Sequence, residues 1–327
     1  MNIKPLTSIS FVLILLSSML HHSCSAGRHA QPGERNSIKL TDDAQAKQAE
    51  DVSIQWFKTE ASDKTNGVAL VIHGLNLRPD KMKSIIALLT NSGIDVLNLS
   101  LRGHGRNYSH EGKIAESKAR IESFKTVSYE LWIDETRRAY QHARKWSDEK
   151  NVSLFFIGFS LGGLIGADLL ASYPDVRFDK MVLLAPAFKL HGINYIVKLL
   201  SPFPRLVVPS FSSAFYRMNN GTPMAAYNTL FETLRHFYKH MGPKLNIPTI
   251  IFIDKQDELV SYQGLKRMVE KEKLRQWKFH LVQKEKTGVK VKMKHIIIDE
   301  QSVGKNIWNE IRITIIKHLL PQGIFTK

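Results

Sequence analysis

Cysteine is nearly absent. The 327 residues hold a single one, Cys24, so no disulfide can form within the chain and its stability must come from a packed core. Long apolar runs are missing too. The longest, residues 9–20, falls short of the roughly 20 residues a helix needs to cross a bilayer, which argues for a removable segment over a permanent anchor. No internal repeat and no low-complexity tract is visible, so solenoid and repeat architectures are set aside. Acidic residues are the scarcer charged class, 30 against 46 lysines and arginines, for a formal charge of +16. Such a surplus raises nucleic acid and anionic lipid as partners. The basic residues are spread along the whole chain, however, with no recognition helix, zinc spacing or aromatic RNA-binding signature, and this reads as a solvated surface with no nucleic-acid partner.

What is present begins with the amino terminus. A short basic start (1–4), the apolar run and the small residues Cys24, Ser25 and Ala26 have the outline of an export signal over residues 1–26. Two endings fit. Cleavage after Ala26 releases a soluble protein, whereas Ser23-Cys24 resembles a lipoprotein acylation site with His21 where Leu is usual. Both place the protein outside the cytoplasm, in the periplasm, on the envelope as a lipoprotein, or secreted. The polar residues 27–50 suit a flexible linker.

Beyond the linker, β-branched runs alternate with amphipathic ones. "VSIQWF" (52–57), "VALVI" (68–72), "DVLNL" (95–99), "VSLFFI" (152–157), "KMVLLA" (180–185), "PTIIFI" (248–253) and "WKFHLV" (277–282) read as strands. Residues 81–91, 128–146, 161–172, 261–273 and 305–320 read as helices. This alternation predicts an α/β fold, a mostly parallel central sheet with helices on both faces and ligands at the carboxyl ends of the strands. The expected main domain comprises residues 51–187 and 248–322. Between them, 188–247 lacks a clear strand, carries one helix at 224–240, and reads as an inserted cap whose apolar side chains line an acyl pocket, pack on the main domain or touch a membrane.

The chemistry centres on "IGFSLGGLIG" (157–166). A strand turning sharply into a helix needs small neighbours, and Ser160 stands at the apex of G-x-S-x-G. A serine hydroxyl is a weak nucleophile; it needs a base, a group to orient that base, and donors for an oxyanion. Downstream, in the order acid then histidine, Asp257 in "IIFIDKQDELV" follows a strand, with Asp254 its competitor three residues earlier, and His295 in "KMKHIIIDE" follows the last strand. Oxyanion N–H groups are expected from Leu161, at a helix start, and Leu75 in "HGLN" (73–76), where Gly74 permits close approach.

Taken in order, "VIHGL", "LRGHGRN" (101–107), "GFSLGG", "DKQDELV" and the late histidine resemble the α/β-hydrolase superfamily over residues 52–320, most closely its monoacylglycerol lipase-like and lysophospholipase-like members. The resemblance implies a triad of Ser160, Asp257 and His295, oxyanion donors at Leu75 and Leu161, and hydrolysis of acylglycerol, lysophospholipid or other small acyl esters with neither metal nor organic cofactor. Arg102 to Gly105 matches a loop motif near the family's site and is read as structural. Two features depart from the pattern: Asp254 stands where relatives often carry glycine, and the basic run "KEKTGVKVKMK" (284–294) has the length of an extra hairpin. Acyl transfer, peptidase activity or a non-catalytic binding role are the alternatives. Halide or epoxide chemistry is disfavoured, since it uses a carboxylate where this chain has Ser160.

Overall fold

The computed structural model describes residues 52–59, 65–109 and 114–320; the export-signal and linker readings lie outside them. Its strands are β1 (Ile54–Phe57), β2 (Gly67–Ile72), β3 (Ile94–Leu99), β4 (Leu154–Phe159), β5 (Lys180–Leu184), β6 (Val207–Pro209), β7 (Gly221–Pro223), β8 (Thr249–Ile253) and β9 (Trp277–Leu281). Its α-helices are α1 (Lys83–Thr90), α2 (Glu116–Phe124), α3 (Tyr129–Lys150), α4 (Leu161–Ser172), α5 (Met224–His240), α6 (Tyr262–Lys271), α7 (Glu300–Val303) and α8 (Lys305–Leu319).

Seven strands form one sheet in the order β1-β3-β2-β4-β5-β8-β9. Every pairing is parallel except β1 with β3. The central strands are buried on both faces, which explains their near-continuous apolar runs. Alternate side chains feed two separate cores. Val68, Leu70 and Ile72 of β2 point into one, shared with α3, α4, α5 and α6. Ala69 and Val71 point into the other, shared with α1 and α8. The α/β architecture expected from the sequence is thus present, with helices on both faces.

Between β5 and β8 the chain leaves the sheet. This stretch holds a 3₁₀ turn (Gly192–Leu200), the two-stranded β6-β7 ribbon and α5, so it contains short strands where the sequence suggested none. It is fastened to the loops that follow β2 and β8. Asn76 and Asn219 exchange a pair of hydrogen bonds, Asn76 Nδ2 donating to the Asn219 carbonyl at 3.0 Å and the Asn219 N–H to Asn76 Oδ1 at 2.9 Å. The N–H of Arg78 donates to the Tyr216 carbonyl, and that of His191 to the Leu259 carbonyl. The inserted segment therefore lies against the carboxyl-end rim of the sheet.

A second expectation is corrected here. Residues 284–294 form no hairpin; they are a strandless loop after β9. Four lysines at 286, 290, 292 and 294 repel one another across any tight ladder. The loop is instead gathered by the Lys284 ammonium, which donates to the carbonyls of Met293 at 2.5 Å and Ile296 at 2.7 Å. Burial lowers the Lys284 pKa to about 8.

Candidate active site

β4 ends at Phe159 and α4 starts at Leu161, leaving one residue for the turn. That residue, Ser160, adopts φ 52° and ψ −114°, a conformation costing about 1–3 kcal/mol for a side chain other than glycine. Surrounding hydrogen bonds hold it there: the Ser160 N–H donates to the Leu184 carbonyl at 2.9 Å, and its own carbonyl accepts from Ala187 at 3.1 Å. The flanking glycines are required by contact. A Cβ at Gly162 would lie 2.2 Å from the Ile72 carbonyl oxygen, and one at Gly158 would lie 2.5 Å from Gly163 Cα.

The loop after β8 carries Asp257 to the same rim. Its side chain is fully buried, and Oδ1 accepts from the N–H groups of Leu259 at 2.8 Å and Val260 at 2.9 Å, leaving Oδ2 for a partner. That partner is His295, whose Nδ1–H donates to Oδ2 at 2.8 Å. The other ring nitrogen, Nε2, stands 2.9 Å from Ser160 Oγ and accepts its proton. Burial pushes the Asp257 carboxyl upward, but the adjacent His295 and the hydrogen bonds outweigh it, and the pKa lies below the ordinary value. The charged form is favoured.

Asp254 does not join this chain. Its Oδ1 accepts from the Gln256 N–H at 2.8 Å, a short-range turn that shapes the loop. Nor is Asp257 a helix cap: Ser261 caps α6, accepting from Gly264. His295 is fixed from behind by Glu258, whose carboxylate accepts from the N–H groups of Lys294 at 2.9 Å and His295 at 3.2 Å. Phe159 lies beside the imidazole, with ring centroids 5.2 Å apart.

Leu161 is the first residue of α4, so its N–H has no partner within the helix and adjoins Ser160 directly. Leu75 follows Gly74, whose hypothetical Cβ would lie 2.7 Å from the Phe159 ring and 3.2 Å from Ser160 Cβ. Both backbone segments therefore border the hydroxyl.

Residues that the sequence reading did not single out support this loop. His73 Nδ1–H donates to the Gly74 carbonyl at 2.8 Å, and its Nε2 accepts from the Leu101 N–H at 3.1 Å. His104 Nε2 accepts from the Asn76 N–H at 2.9 Å. Both rings are fully buried and 4.4 Å apart. Burial lowers the His73 pKa to about 4, and burial with the neighbouring His73 lowers that of His104 well below the ordinary value. Each is a neutral strut. Glu135 on α3 plays a similar part for the 101–107 loop: Oε2 accepts from the Arg102 N–H at 2.8 Å and Oε1 from Asn107 Nδ2 at 2.9 Å. Its clue in the sequence is a carboxylate beside the apolar positions 132, 133, 136 and 139 of a helix.

Comparison with known proteins bears on this arrangement. Residues 63–225 match the family described as serine aminopeptidase, S33. Phospholipase YtpA of Bacillus subtilis is 24% identical over 153 residues, which is 46% of this chain and 53% of that one; the match thus spans about half the length of that relative. A soluble variant of the monoglyceride lipase of Saccharomyces cerevisiae, solved with a substrate analogue, superposes with a TM-score of 0.65 at 13% identity, covering 84% of this chain and 92% of that one. The monoacylglycerol lipase of Paleococcus ferrophilus gives 0.57 at 17% identity, covering 81% and 97%.

Proposed function

From a chain that belongs to the α/β-hydrolase superfamily, and whose relatives are lipase-like hydrolases, we propose a serine carboxylic-ester hydrolase acting on acylglycerols, lysophospholipids or small acyl esters. One observation carries the proposal: the continuous hydrogen-bonded path from Ser160 Oγ through His295 to Asp257. Ser160 Oγ attacks the ester carbonyl carbon as His295 Nε2 takes its proton, and Asp257 stabilises the resulting imidazolium. The oxyanion is met by the N–H groups of Leu75 and Leu161. Collapse expels the alcohol, which leaves with the proton from His295, and an acyl-enzyme remains. Water, deprotonated by His295, then releases the acid and regenerates Ser160.

Lipid substrates are favoured by the inserted segment, read as the cap. Leu199, Phe203 and Phe211 are 71%, 60% and 77% exposed, and large apolar side chains left in water on one segment suit contact with an aggregated ester or a membrane surface. An export signal at residues 1–26 would deliver the enzyme to such lipids outside the cytoplasm, with or without acylation of Cys24. The family description favours a second reading, an aminopeptidase using the same serine. Hydrolysis of aminoacyl nitroanilides at rates above those of p-nitrophenyl esters would select it.

The test is active-site labelling. A fluorophosphonate should modify Ser160, losing fluoride, and Ser160→Ala should abolish labelling and lower p-nitrophenyl ester hydrolysis by roughly 10⁶-fold. Undiminished hydrolysis by the alanine variant would end the proposal.

A further inference from the structure

Two turns along α4 from the nucleophile, a second polar cluster is buried between helices. α4 is apolar except for its last residue, Ser172, and Asp168, the latter about 12 Å further along the helix axis than Ser160 at 1.5 Å per residue. The Asp168 side chain is 0% exposed. Facing it, α5 presents His236 and His240, four residues apart and therefore stacked on one helix face; their ring centroids are 4.1 Å apart. One nitrogen of each imidazole and a carboxylate oxygen of Asp168 all lie within 4.8 Å of one another, a convergence of three metal-ligating side chains found here alone among the described residues.

The surroundings orient these groups as ligands. His240 Nδ1–H donates to the His236 carbonyl at 3.0 Å, which fixes the tautomer that leaves a lone pair on Nε2. Tyr129, the first residue of α3, donates its hydroxyl to Asp168 Oδ2 at 2.9 Å, and Ser172 donates to Oδ1 at 3.2 Å. His236 Nδ1 lies 2.9 Å from Asp168 Oδ1 and 2.6 Å from the Tyr129 hydroxyl oxygen, contacts that a bound ion would replace. No lysine or arginine pairs with this carboxylate among the described residues; its ionic partner is an imidazole. A buried carboxylate whose only ionic partner is an imidazole is well compensated by a fixed dication.

We propose that Asp168, His236 and His240 form a divalent-metal site of zinc type that clamps α5 of the inserted segment onto α4, the helix that begins at the nucleophile turn. Two imidazole nitrogens and one carboxylate oxygen are a donor set that zinc accepts, and the Tyr129 hydroxyl or a water completes four-coordination. The metal braces and takes no part in the ester chemistry. It fixes the angle at which the inserted segment meets the rim.

The full-length protein, stripped with chelator and desalted, should bind one zinc per chain in competition with a chromophoric chelator. Zinc at a hundredfold excess over its dissociation constant should raise the melting temperature by about 5 °C. His240→Ala should remove that rise while leaving the metal-free melting temperature and fluorophosphonate labelling at parental levels, because His240 is only half-buried and touches none of the groups at Ser160. Ser160→Ala should bind zinc like the parent, which separates failure here from failure of the serine assignment. If stripped protein takes up no zinc from a 100 µM solution, a level of about −5.5 kcal/mol in binding, the cluster is a hydrogen-bond network and the proposal falls. Zinc uptake and stabilisation undiminished in His240→Ala would place the metal elsewhere and overturn it equally.

Discussion

The nucleophile turn and the inserted segment, separated in the chain by α4 and β5, are built to different standards. Around Ser160, atoms are so close that no methyl group fits at Gly158 or Gly162, and Phe156 fills the space beside Gly166 to within 1.9 Å of a hypothetical Cβ. In the inserted segment the packing is uneven: a Cβ at Gly221 would lie 2.5 Å from Val207, but around Gly192 no heavy atom lies within 4 Å of where a Cβ would be, and Phe203 is largely exposed. Tight packing over-determines a strained serine; loose packing leaves a surface free to meet a substrate. The difference is chemical as well. The rim holds its polar groups in closed hydrogen-bonded chains, whereas the segment is tied to it through backbone amides and the Asn76–Asn219 pair.

The sharpest way to break this contrast is at the acid. Asp257→Asn keeps the side chain's shape but removes the acceptor for His295 Nδ1–H, and should lower kcat about 10⁴-fold. Asp254→Asn retains an oxygen for the Gln256 N–H and should change kcat by less than about threefold, within the ordinary scatter of a local turn substitution. Steady-state kinetics on a soluble p-nitrophenyl ester decides between them. Equal losses would mean that the whole loop, and not one carboxylate, sets the geometry.

Packing gives the next largest effect. Gly162→Ala drives a methyl into the Ile72 carbonyl oxygen, and since a backbone cannot swing aside as a side chain can, the cost should be at least about 3 kcal/mol. In a chain of this size that is a fall of about 5 °C in melting temperature. Gly192→Ala, in open space, should stay within about 0.5 kcal/mol of the parent. Differential scanning fluorimetry of the two variants measures the contrast directly, and a destabilised Gly192→Ala would show the segment to be as closely fitted as the turn.

The same contrast explains what could be read from the sequence. The five inner strands of the sheet are visible as short, mostly apolar runs because burial on both faces leaves little polar alternation to blur them. Ser160 stands out because its glycines answer a steric demand that leaves few substitutes. The acid is separable from Asp254 by loop length, and the structure joins Asp257, not its neighbour, to His295. Elements that bury little are harder to see. Helix α2, "ESKARIESF", buries only Ala119, Ser123 and Phe124, so no apolar stripe marks it. Strands β6 and β7 are three residues each and both end in proline, which in sequence argues against a strand. His73 and His104 stand inside the quoted motifs, but their roles are hidden there because each ring accepts from a backbone N–H 28 residues away; Asn219 is hidden because it meets the Asn76 side chain through its own backbone, and sequence spacing carries no trace of such partners.

Those histidines supply the mildest and most distinctive expectation. His73 and His104 are buried as neutral rings with folded-state pKa values below the unfolded value of about 6.5. Below pH 6.5 the unfolded chain binds protons that the native rim refuses, so their contribution is intact above that pH and declines as the pH falls toward 4. Between pH 7.5 and 5.0 His73 should cost about 2 kcal/mol, with His104, and with His318, lowered by burial and by Lys180, adding to the slope. Asp257 has the opposite chemistry: its pKa is depressed, so its contribution persists above the unfolded carboxylate value near 3.9 and lies outside this interval. Urea unfolding at the two pH values tests the assignment. His73→Gln should reduce the loss by about 2 kcal/mol, whereas Asn76→Ala, which removes the side chain that makes both bonds to the Asn219 backbone, should lower stability equally at both pH values. A pH-dependent penalty in Asn76→Ala would mean that the segment shares the protonation of the rim, and the separation between the two regions would dissolve.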